Sequence, residues 1–295
     1  MRRLWAALVI SVLAGPVLPA QEISGELRQW HDVVLTFTGP ETDEAAEPNP
    51  FLHYRLDVVF EKGDTRLLVP GYFAADGDAA ETGATSGDRW RVHLVPDETG
   101  EWTYRVSFRR GPDVAVAGDP HAGEPLAPDG LTGTLDIAPS DKTGRDHRAH
   151  GLLRYVGERY ARYEGSGEYF IQVGAQSPEN LLAYADFDGT VDHGGAENRL
   201  EDGLHRYEAH VRDWRAGDPT WGDGRGKGLI GALNYLAGKG MNTVYSLTMN
   251  VGGDGREIYP WTGYEERARY DVSKLAQWEI VLSHMDRLGL QLMVI

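Results

Sequence analysis

Residues 100–109 read Gly100-Glu101-Trp102-Thr103-Tyr104-Arg105-Val106-Ser107-Phe108-Arg109, with an apolar side chain at every second position from Trp102 onward. This period of two is typical of a β-strand with one buried face. The stretch Trp90-Arg91-Val92-His93-Leu94 has the same period, and Pro96-Asp97-Glu98-Thr99-Gly100 between the two has the composition of a turn. We predict that the two strands form a hairpin.

The same alternation continues on both sides of this stretch, over about residues 27–138. It recurs at Val33-Val34-Leu35-Thr36-Phe37, at Tyr54-Arg55-Leu56-Asp57-Val58 and at Thr134-Leu135-Asp136-Ile137. No helical period interrupts these short strands, and turn residues separate them. The pattern predicts an all-β, immunoglobulin-like sandwich domain over residues 21–145.

The second half of the chain changes to an alternation of strands and helices. Its pattern predicts a buried strand over residues 169–173, a helix over 229–237 and a strand over 243–249. A second helix is expected to begin at Asp271 or Ser273 and end at Gly289, and an apolar strand over 290–295 follows. This order predicts a parallel sheet, which we interpret as the first part of a (β/α)8 TIM barrel over residues 146–295.

The length of this second region leads to an expectation about the whole protein. A TIM barrel needs roughly 250 residues, and its catalytic groups lie at the carboxyl ends of the strands. We therefore expect this polypeptide to be an N-terminal fragment whose catalytic residues lie beyond Ile295, and we expect the fragment itself to be inactive.

Residues 1–20 have the organisation of a secretory signal peptide. Arg2 and Arg3 precede an apolar stretch, and Leu18-Pro19-Ala20 resembles a small-residue cleavage site. We expect a secreted or periplasmic protein whose mature chain begins near Gln21. The mature chain has no further stretch of ~20 apolar residues, so no membrane span is predicted in it.

Charge and composition exclude several classes of function. The formal net charge is −16, and removal of the two arginines of the signal brings it to −18, which argues against a nucleic-acid partner. The chain has no cysteine, so thiol nucleophiles and cysteine metal sites are excluded. His193 and Glu197 would need a helix to converge on a metal, and Gly194 and Gly195 argue against one. We predict no metal and no cofactor.

Candidate substrate-binding residues follow the predicted parallel strands. Gln176 follows the first strand, while Asn250 and Asp254 follow the second. The side-chain amide of Asn250 can both donate to and accept from a sugar hydroxyl. Trp221, Tyr259 and Trp261 lie in long loops on the same side, and we expect at least one of them to stack on a sugar ring.

Tyr72 and Phe73 form a separate candidate in the first domain. They lie in the segment Pro70-Gly71-Tyr72-Phe73-Ala74-Ala75-Asp76-Gly77, which we interpret as a loop. Two interpretations remain open: the two rings pack against the second domain, or they contact a ligand.

Several of these segments together resemble a known family. They are Asn49-Pro50-Phe51, the segment from Val69 to Gly77, Trp90-Arg91-Val92-His93 and Gly100-Glu101-Trp102. Residues 26–110 are similar to an N-terminal immunoglobulin-like domain of unknown function in secreted bacterial proteins. In that family the domain precedes a TIM barrel similar to apiosidase-like glycoside hydrolases, and residues 169–295 resemble the start of that barrel.

The resemblance implies a polysaccharide-degrading enzyme whose acidic catalytic residues lie on later strands. The first hypothesis is therefore a secreted glycoside hydrolase that acts on a polysaccharide or oligosaccharide with two carboxylates. The alternative is a non-catalytic carbohydrate-binding or surface-attachment protein. A polysaccharide lyase is a third possibility, favoured less on analogy of fold.

Overall fold

The computed structural model describes residues 21–175, 178–194, 203–250 and 256–294. Up to residue 139 the strands are β1 (Gln21–Gly25), β2 (Val33–Asp43), β3 (Tyr54–Lys62), β4 (Thr65–Pro70), β5 (Tyr72–Phe73), β6 (Ser86–Leu94), β7 (Gly100–Arg110), β8 (Glu124–Pro125) and β9 (Thr132–Ile137). Two one-turn helices, α1 (Pro50–His53) and α2 (Ala79–Thr82), lie between them, and Val114–Val116 is a 3-10 turn.

These strands form two antiparallel sheets that share one core. The first sheet has the order β1-β2-β6-β5, and the second has the order β4-β3-β7-β8 with β9 also paired to β7. The inward rows of both sheets are fully or almost fully buried against each other, for example Leu35 and Val92 from the first sheet and Val58 and Val106 from the second. Burial of these alternating apolar rows is the main force that holds the two sheets together.

The predicted hairpin between residues 90–94 and 102–108 is wrong. Strand β6 pairs with β2 and β5, whereas β7 pairs with β3, β8 and β9, so the two strands lie in different sheets. Both direct their apolar rows into the same core, which they can do only from opposite sides. The segment 95–99 therefore connects the two sheets, and the indole N–H of Trp102 donates to the carbonyl oxygen of Glu98 within it at 3.0 Å.

The second half of the chain contains the longer helices and a small parallel sheet. Its strands are β10 (Leu153–Arg154), β11 (Arg162–Tyr163), β12 (Gly174–Ala175), β13 (Thr243–Ser246) and β14 (Gln291–Val294). Its α-helices are α3 (Lys227–Gly238) and α4 (Val272–Leu288), and His147–Ala149 and Glu208–Asp213 are 3-10 turns. Strands β12, β13 and β14 pair in parallel in that order, with α3 before β13 and α4 before β14.

Both predicted helices are confirmed, and the caps of α4 show why it could be predicted. The carboxylate of Asp271 accepts a hydrogen bond from the backbone N–H of Lys274, and Gly289 takes the left-handed conformation that closes the other end. The predicted buried strand over residues 169–173 is wrong. Tyr169, Ile171 and Val173 are exposed, and regular pairing begins only at Gly174.

The predicted fold class, an immunoglobulin-like sandwich followed by the start of a TIM barrel, is also wrong. Across the described residues the sheets are mostly antiparallel, and the parallel part consists of three strands of two to four residues each. The residues that the structure describes between β12 and α3 are mostly irregular and contain no regular strand-helix repeat. The fold of the described residues is β-rich, and they show no barrel.

Helix α4 joins the two halves of the molecule. Val272 in its first turn is buried in the core of the two sheets, whereas Trp278, Val281 and Met285 belong to a second core with α3 and β13. The division into domains at residues 21–145 and 146–295 stays a prediction. In the parts of the chain that the structure describes, no helix is both long enough and apolar enough to cross a membrane.

Candidate functional site

The candidate site lies at the carboxyl edge of the parallel sheet. Strands β12 and β13 run in the same direction, with Gly174 opposite Thr243 and Ala175 opposite Val244. In α/β structures, ligands bind in the crevice outside the carboxyl ends of parallel strands. The loops that follow β12 and β13 are therefore the first place to look for functional groups.

Backbone hydrogen bonds bring these loops together. The backbone N–H of Leu247, just after β13, donates to the carbonyl oxygen of Glu179 at 2.8 Å, and the hydroxyl of Ser246 donates to the same oxygen at 3.2 Å. Further along, Asn250 and Ile258 are joined by two bonds: one from Asn250 N–H to Ile258 O at 3.1 Å and one from Ile258 N–H to Asn250 Oδ1 at 3.0 Å. The segments around residues 180 and 257 thus meet at this edge.

A cluster of three polar side chains, which we call the edge cluster, is formed by Asn180, His205 and Glu257. The amide nitrogen of Asn180 donates to Oε1 of Glu257 at 2.7 Å, and its oxygen lies 2.7 Å from Nε2 of His205. Because the oxygen of Asn180 can only accept, His205 must carry its proton on Nε2 when it makes this bond. Glu257 is 1% exposed, whereas Asn180 and His205 are half-buried.

The ring of His205 is held from a second side. It stacks on Tyr207 with the ring centroids 5.0 Å apart and the planes 27° apart. The backbone of residue 205 also donates to Ala183 O at 2.7 Å and accepts from Ala185 N–H at 2.9 Å. Side chains held in this way are already in position for a ligand, which lowers the entropy cost of binding.

Trp221 lies in the second core and not at the surface. It is 0% exposed, it stacks on Phe187 at 5.1 Å and 13°, and its indole N–H donates to the carbonyl oxygen of Asp186 at 3.0 Å. No face of this ring is open to a sugar, so the structure places Trp221 among the core residues.

Tyr259 and Trp261 are also covered, together with Tyr264. The hydroxyl of Tyr259 donates to the carbonyl oxygen of Gly189 at 3.1 Å. The guanidinium of Arg267 lies 4.3 Å from the Trp261 ring centroid, and the ammonium of buried Lys274 lies 4.2 Å from that of Tyr259. Burial lowers the pKa of Lys274, although the charge of Asp271 opposes this. Stacking of a sugar on either ring stays a prediction.

The remaining candidates of the second half divide into two groups. Asn250 is half-buried at the end of the β13 loop, where its side-chain oxygen already accepts from Ile258. Gln176 and Asp254 lie outside the described residues. Substrate contact by any of the three stays a prediction.

Tyr72 and Phe73 have different environments, although they are neighbours on strand β5. Phe73 is buried against Trp90, with ring centroids 5.4 Å apart, and also contacts Phe51. Tyr72 is 38% exposed, and its hydroxyl lies 2.9 Å from Nε2 of His93. Only Tyr72 is therefore placed to contact a ligand.

Two groups of three side chains each have potential metal-ligand atoms within 4.8 Å of one another. The first group is Glu26, His31 and Asp141, and the second is Asp32, His93 and Glu279. In the first group, the ammonium of Lys142 already lies 2.8 Å from Glu26 and 3.0 Å from Asp141. In the second, Nδ1 of His93 lies 2.8 Å from Asp32, the distance of a direct hydrogen bond. We assign a metal to neither group.

The sequence did not point to the edge cluster. Asn180, His205 and Glu257 lie in irregular segments without a periodic pattern, and Asn180 and Glu257 are separated by 77 positions. The one usable signal was the position of Asn180 in the first loop after β12. Glu257 became recognisable only when the fold showed it buried against an amide.

Comparisons with known proteins identify one domain and one similar fold. A family model described as a domain of unknown function (DUF5060) matches residues 26–109, which covers most of the two-sheet region but less than half of the chain. The structure as a whole is similar to the crystal structure of a protein from Bacteroides vulgatus ATCC 8482 whose printed name is "putative glycoside hydrolase". The TM-score is 0.50 and the sequence identity is 18%.

The extent of that likeness limits what it shows. It covers 91% of this chain and 40% of the Bacteroides chain, so our chain spans less than half the length of that protein. At this identity the likeness shows the fold alone, and the relationship to the apiosidase-like group stays a prediction. A comparison with curated proteins finds no match.

Proposed function

We propose that this chain is part of a secreted enzyme that hydrolyses glycosidic bonds in a polysaccharide. The observation that carries the proposal is the edge cluster at the carboxyl edge of a parallel sheet, in which a buried carboxylate accepts from an amide whose oxygen in turn accepts from an imidazole. The similar fold of the Bacteroides protein and its printed name support the same class of reaction.

The two half-buried members of the cluster would contact the sugar. An amide and an imidazole can each donate and accept, which suits sugar hydroxyls because these also do both. Asn250 would add a third polar group next to them. Glu257 would act as a positioning residue, because its Oε1 accepts from Asn180 and fixes which end of that amide faces His205.

The bond cleavage itself requires two carboxyl groups about 5–10 Å apart, one as acid and the other as base or nucleophile. We assign no such pair among the described residues. The part proposed for this chain is therefore substrate binding beside the reacting bond, and no cofactor is involved in the proposal.

The proposal includes export from the cytoplasm. Residues 1–20 have the pattern of a signal peptide, with a small-residue cleavage site just before Gln21. N-terminal sequencing of the protein recovered from the periplasm or the medium should find Gln21 or a neighbouring residue first. Recovery of uncleaved protein in the cytoplasm alone would contradict export.

The test of the function is the release of reducing ends from a panel of plant and algal polysaccharides by the native gene product. On the substrate that is cleaved, Asn180→Ala and His205→Ala should each lower kcat/KM about five- to thirtyfold, because each would remove about 1–2 kcal/mol of hydrogen bonding to the sugar. His121→Ala, at an exposed histidine outside the site, is the matched control and should leave kcat/KM unchanged.

A pair of substitutions at Glu257 tests its positioning role. Glu257→Gln retains an oxygen that can accept from Asn180 and should keep KM within about threefold, whereas Glu257→Ala should raise KM about tenfold. Equal effects of the two substitutions would argue against positioning through this hydrogen bond. Binding of a polysaccharide without release of reducing ends would instead favour the non-catalytic alternative.

A further inference from the structure

A groove of about 670 Å³ lies between the open edge of the two sheets and helix α4. Strands β4 and β5 are the last strands of their respective sheets, and the chain crosses from one sheet to the other between them at Gly71. Leu275, Ala276 and Glu279 of α4 line the opposite wall. This volume and this position at a junction between structural units are typical of small-molecule sites.

Two exposed tyrosines lie at the groove. Tyr72 is 38% exposed and Tyr270 is 39% exposed. Tyr270 is packed edge-on against Phe51, with the ring centroids 5.3 Å apart. Exposed aromatic rings beside a cavity suit a ligand that has an apolar face.

The ring of Tyr72 is held by a chain of hydrogen bonds. Its hydroxyl lies 2.9 Å from Nε2 of His93, and Nδ1 of the same histidine lies 2.8 Å from a carboxylate oxygen of Asp32. The rings of Tyr72 and His93 are nearly parallel, with the planes 16° apart. A ring fixed in this way loses little further freedom when a ligand stacks on it.

The polar groups of the groove are balanced in charge. Arg55 and Asp57 form an ion pair at 2.6 Å, and Arg55 also donates to the carbonyl oxygen of Ala117 at 3.0 Å. Arg91 donates to the hydroxyl of Thr36 at 3.2 Å, and Glu279 lies on the facing helix. Two cations and two carboxylates leave no excess charge for an ionic ligand, but they offer donors and acceptors for a neutral one.

We propose that this groove binds a neutral oligosaccharide, with its rings on Tyr72 and Tyr270 and its hydroxyls toward Arg55, Arg91 and Glu279. A sugar ring has an apolar C–H face and a hydroxylated edge, which is the combination that these walls offer. The groove shares no residue with the edge cluster and would hold the polysaccharide chain away from the reacting bond. The inference takes its substrate class from the proposed function but does not require that the chain be catalytic.

The experiment is isothermal titration calorimetry of the chain with cellohexaose, xylohexaose and mannohexaose. Each sugar is titrated up to about 1 mM, which reveals binding with a dissociation constant of up to about 1 mM. At least one hexasaccharide should bind. Tyr72→Ala and Tyr270→Ala should each weaken that binding about tenfold. Tyr155→Ala, at a tyrosine that is 82% exposed and lies outside the groove, should leave it unchanged.

Hydrogen exchange on the unaltered chain makes the test independent of how the variants fold. The bound hexasaccharide should slow exchange of backbone amides at residues 71–73 and 275–279. Absence of binding by all three sugars, protection elsewhere only, or full affinity in the two tyrosine variants would overturn the inference. Loss of hydrolysis in the Asn180 and His205 variants with unchanged hexasaccharide binding would separate the two sites, and absence of hydrolysis in the unaltered protein would overturn the proposed enzyme alone.

Discussion

Glu44 is a carboxyl group with an unusual environment, because it meets the first turn of α4. Its Oε2 accepts a hydrogen bond from the backbone N–H of Val272 at 3.0 Å. Burial raises the pKa of Glu44 to about 7, the charges of Asp271 and Asp43 act in the same direction, and the hydrogen bond from Val272 opposes them. The folded protein therefore retains a proton at pH values where the unfolded chain has lost it.

A carboxyl whose pKa is raised by folding stabilises the protein below its unfolded pKa, and this stabilisation is lost as the pH rises through the folded value. We predict that Glu44→Gln raises the melting temperature at pH 8 by about 2–4 °C, equivalent to roughly 1 kcal/mol after allowance for solvent screening. At pH 4 it should change little.

Thermal melts between pH 4 and pH 8 measure this difference. Glu41→Gln, at an exposed position nearby, is the matched control and should have no pH-dependent effect. An equal shift for Glu44→Gln at both pH values would show that the effect does not come from the titration of Glu44.

At the scale of single elements, α4 depends on the glycine that ends it. Gly289 has a φ of +65°, and its N–H closes the helix onto the carbonyl oxygen of Asp286. A Cβ at this position would lie 2.1 Å from the carbonyl oxygen of Arg145, which is closer than real contacts allow. An alanine would therefore meet both backbone strain and a clash with the polypeptide backbone.

We predict that Gly289→Ala lowers the free energy of unfolding by at least about 2 kcal/mol, because left-handed strain and the clash add. Gly238, the last residue of α3, provides the control. A Cβ there meets nothing within 4 Å, so Gly238→Ala should be neutral or stabilise the protein by up to about 1 kcal/mol. Urea denaturation of both variants measures the difference, and similar losses for both would contradict the explanation.

The elements that could be predicted from sequence are those whose signals are local. The boundaries of α4 follow from Asp271 and Gly289, which cap it with their own side chain or backbone. The pairing of β6 and β7 could not be predicted, because an inward-facing row fits either the same sheet or the opposite one. The prediction of a buried strand over residues 169–173 was wrong for a related reason. Apolar composition indicates which residues could be buried, but it does not show which residues are buried.

At the scale of the whole molecule, the two-sheet region carries almost all of its own core. Among the residues that the structure describes, those buried in this core lie between Val33 and Ile137, with the exception of Val272 from α4. The edge cluster, in contrast, is assembled from residues far apart in the chain, which is why its position could not be derived before the fold was known.

We predict that residues 21–145 fold as an isolated polypeptide, because the loss of Val272 removes one small side chain from an otherwise complete core. Thermal unfolding followed by tryptophan fluorescence should show a cooperative transition, since Trp90 and Trp102 are buried at its centre. The same fragment should not bind hexasaccharides with the affinity of the whole chain, because it lacks the α4 wall of the groove. A gradual, non-cooperative fluorescence change would contradict independent folding.

The sharing of α4 between two cores has a consequence for how such genes can recombine. A crossover near residue 145 would move the two-sheet region to a new neighbour without α4, whose Gln277 donates to the carbonyl oxygen of Ala80. It would also leave behind Arg269, which precedes the helix and donates to the carbonyl oxygen of Ala46. The transplanted module would keep its core but lose the wall of the groove that α4 forms. The new neighbour would have to present a helix of matching shape. Exchange of this module between proteins should therefore succeed most often where the recipient retains an equivalent of α4.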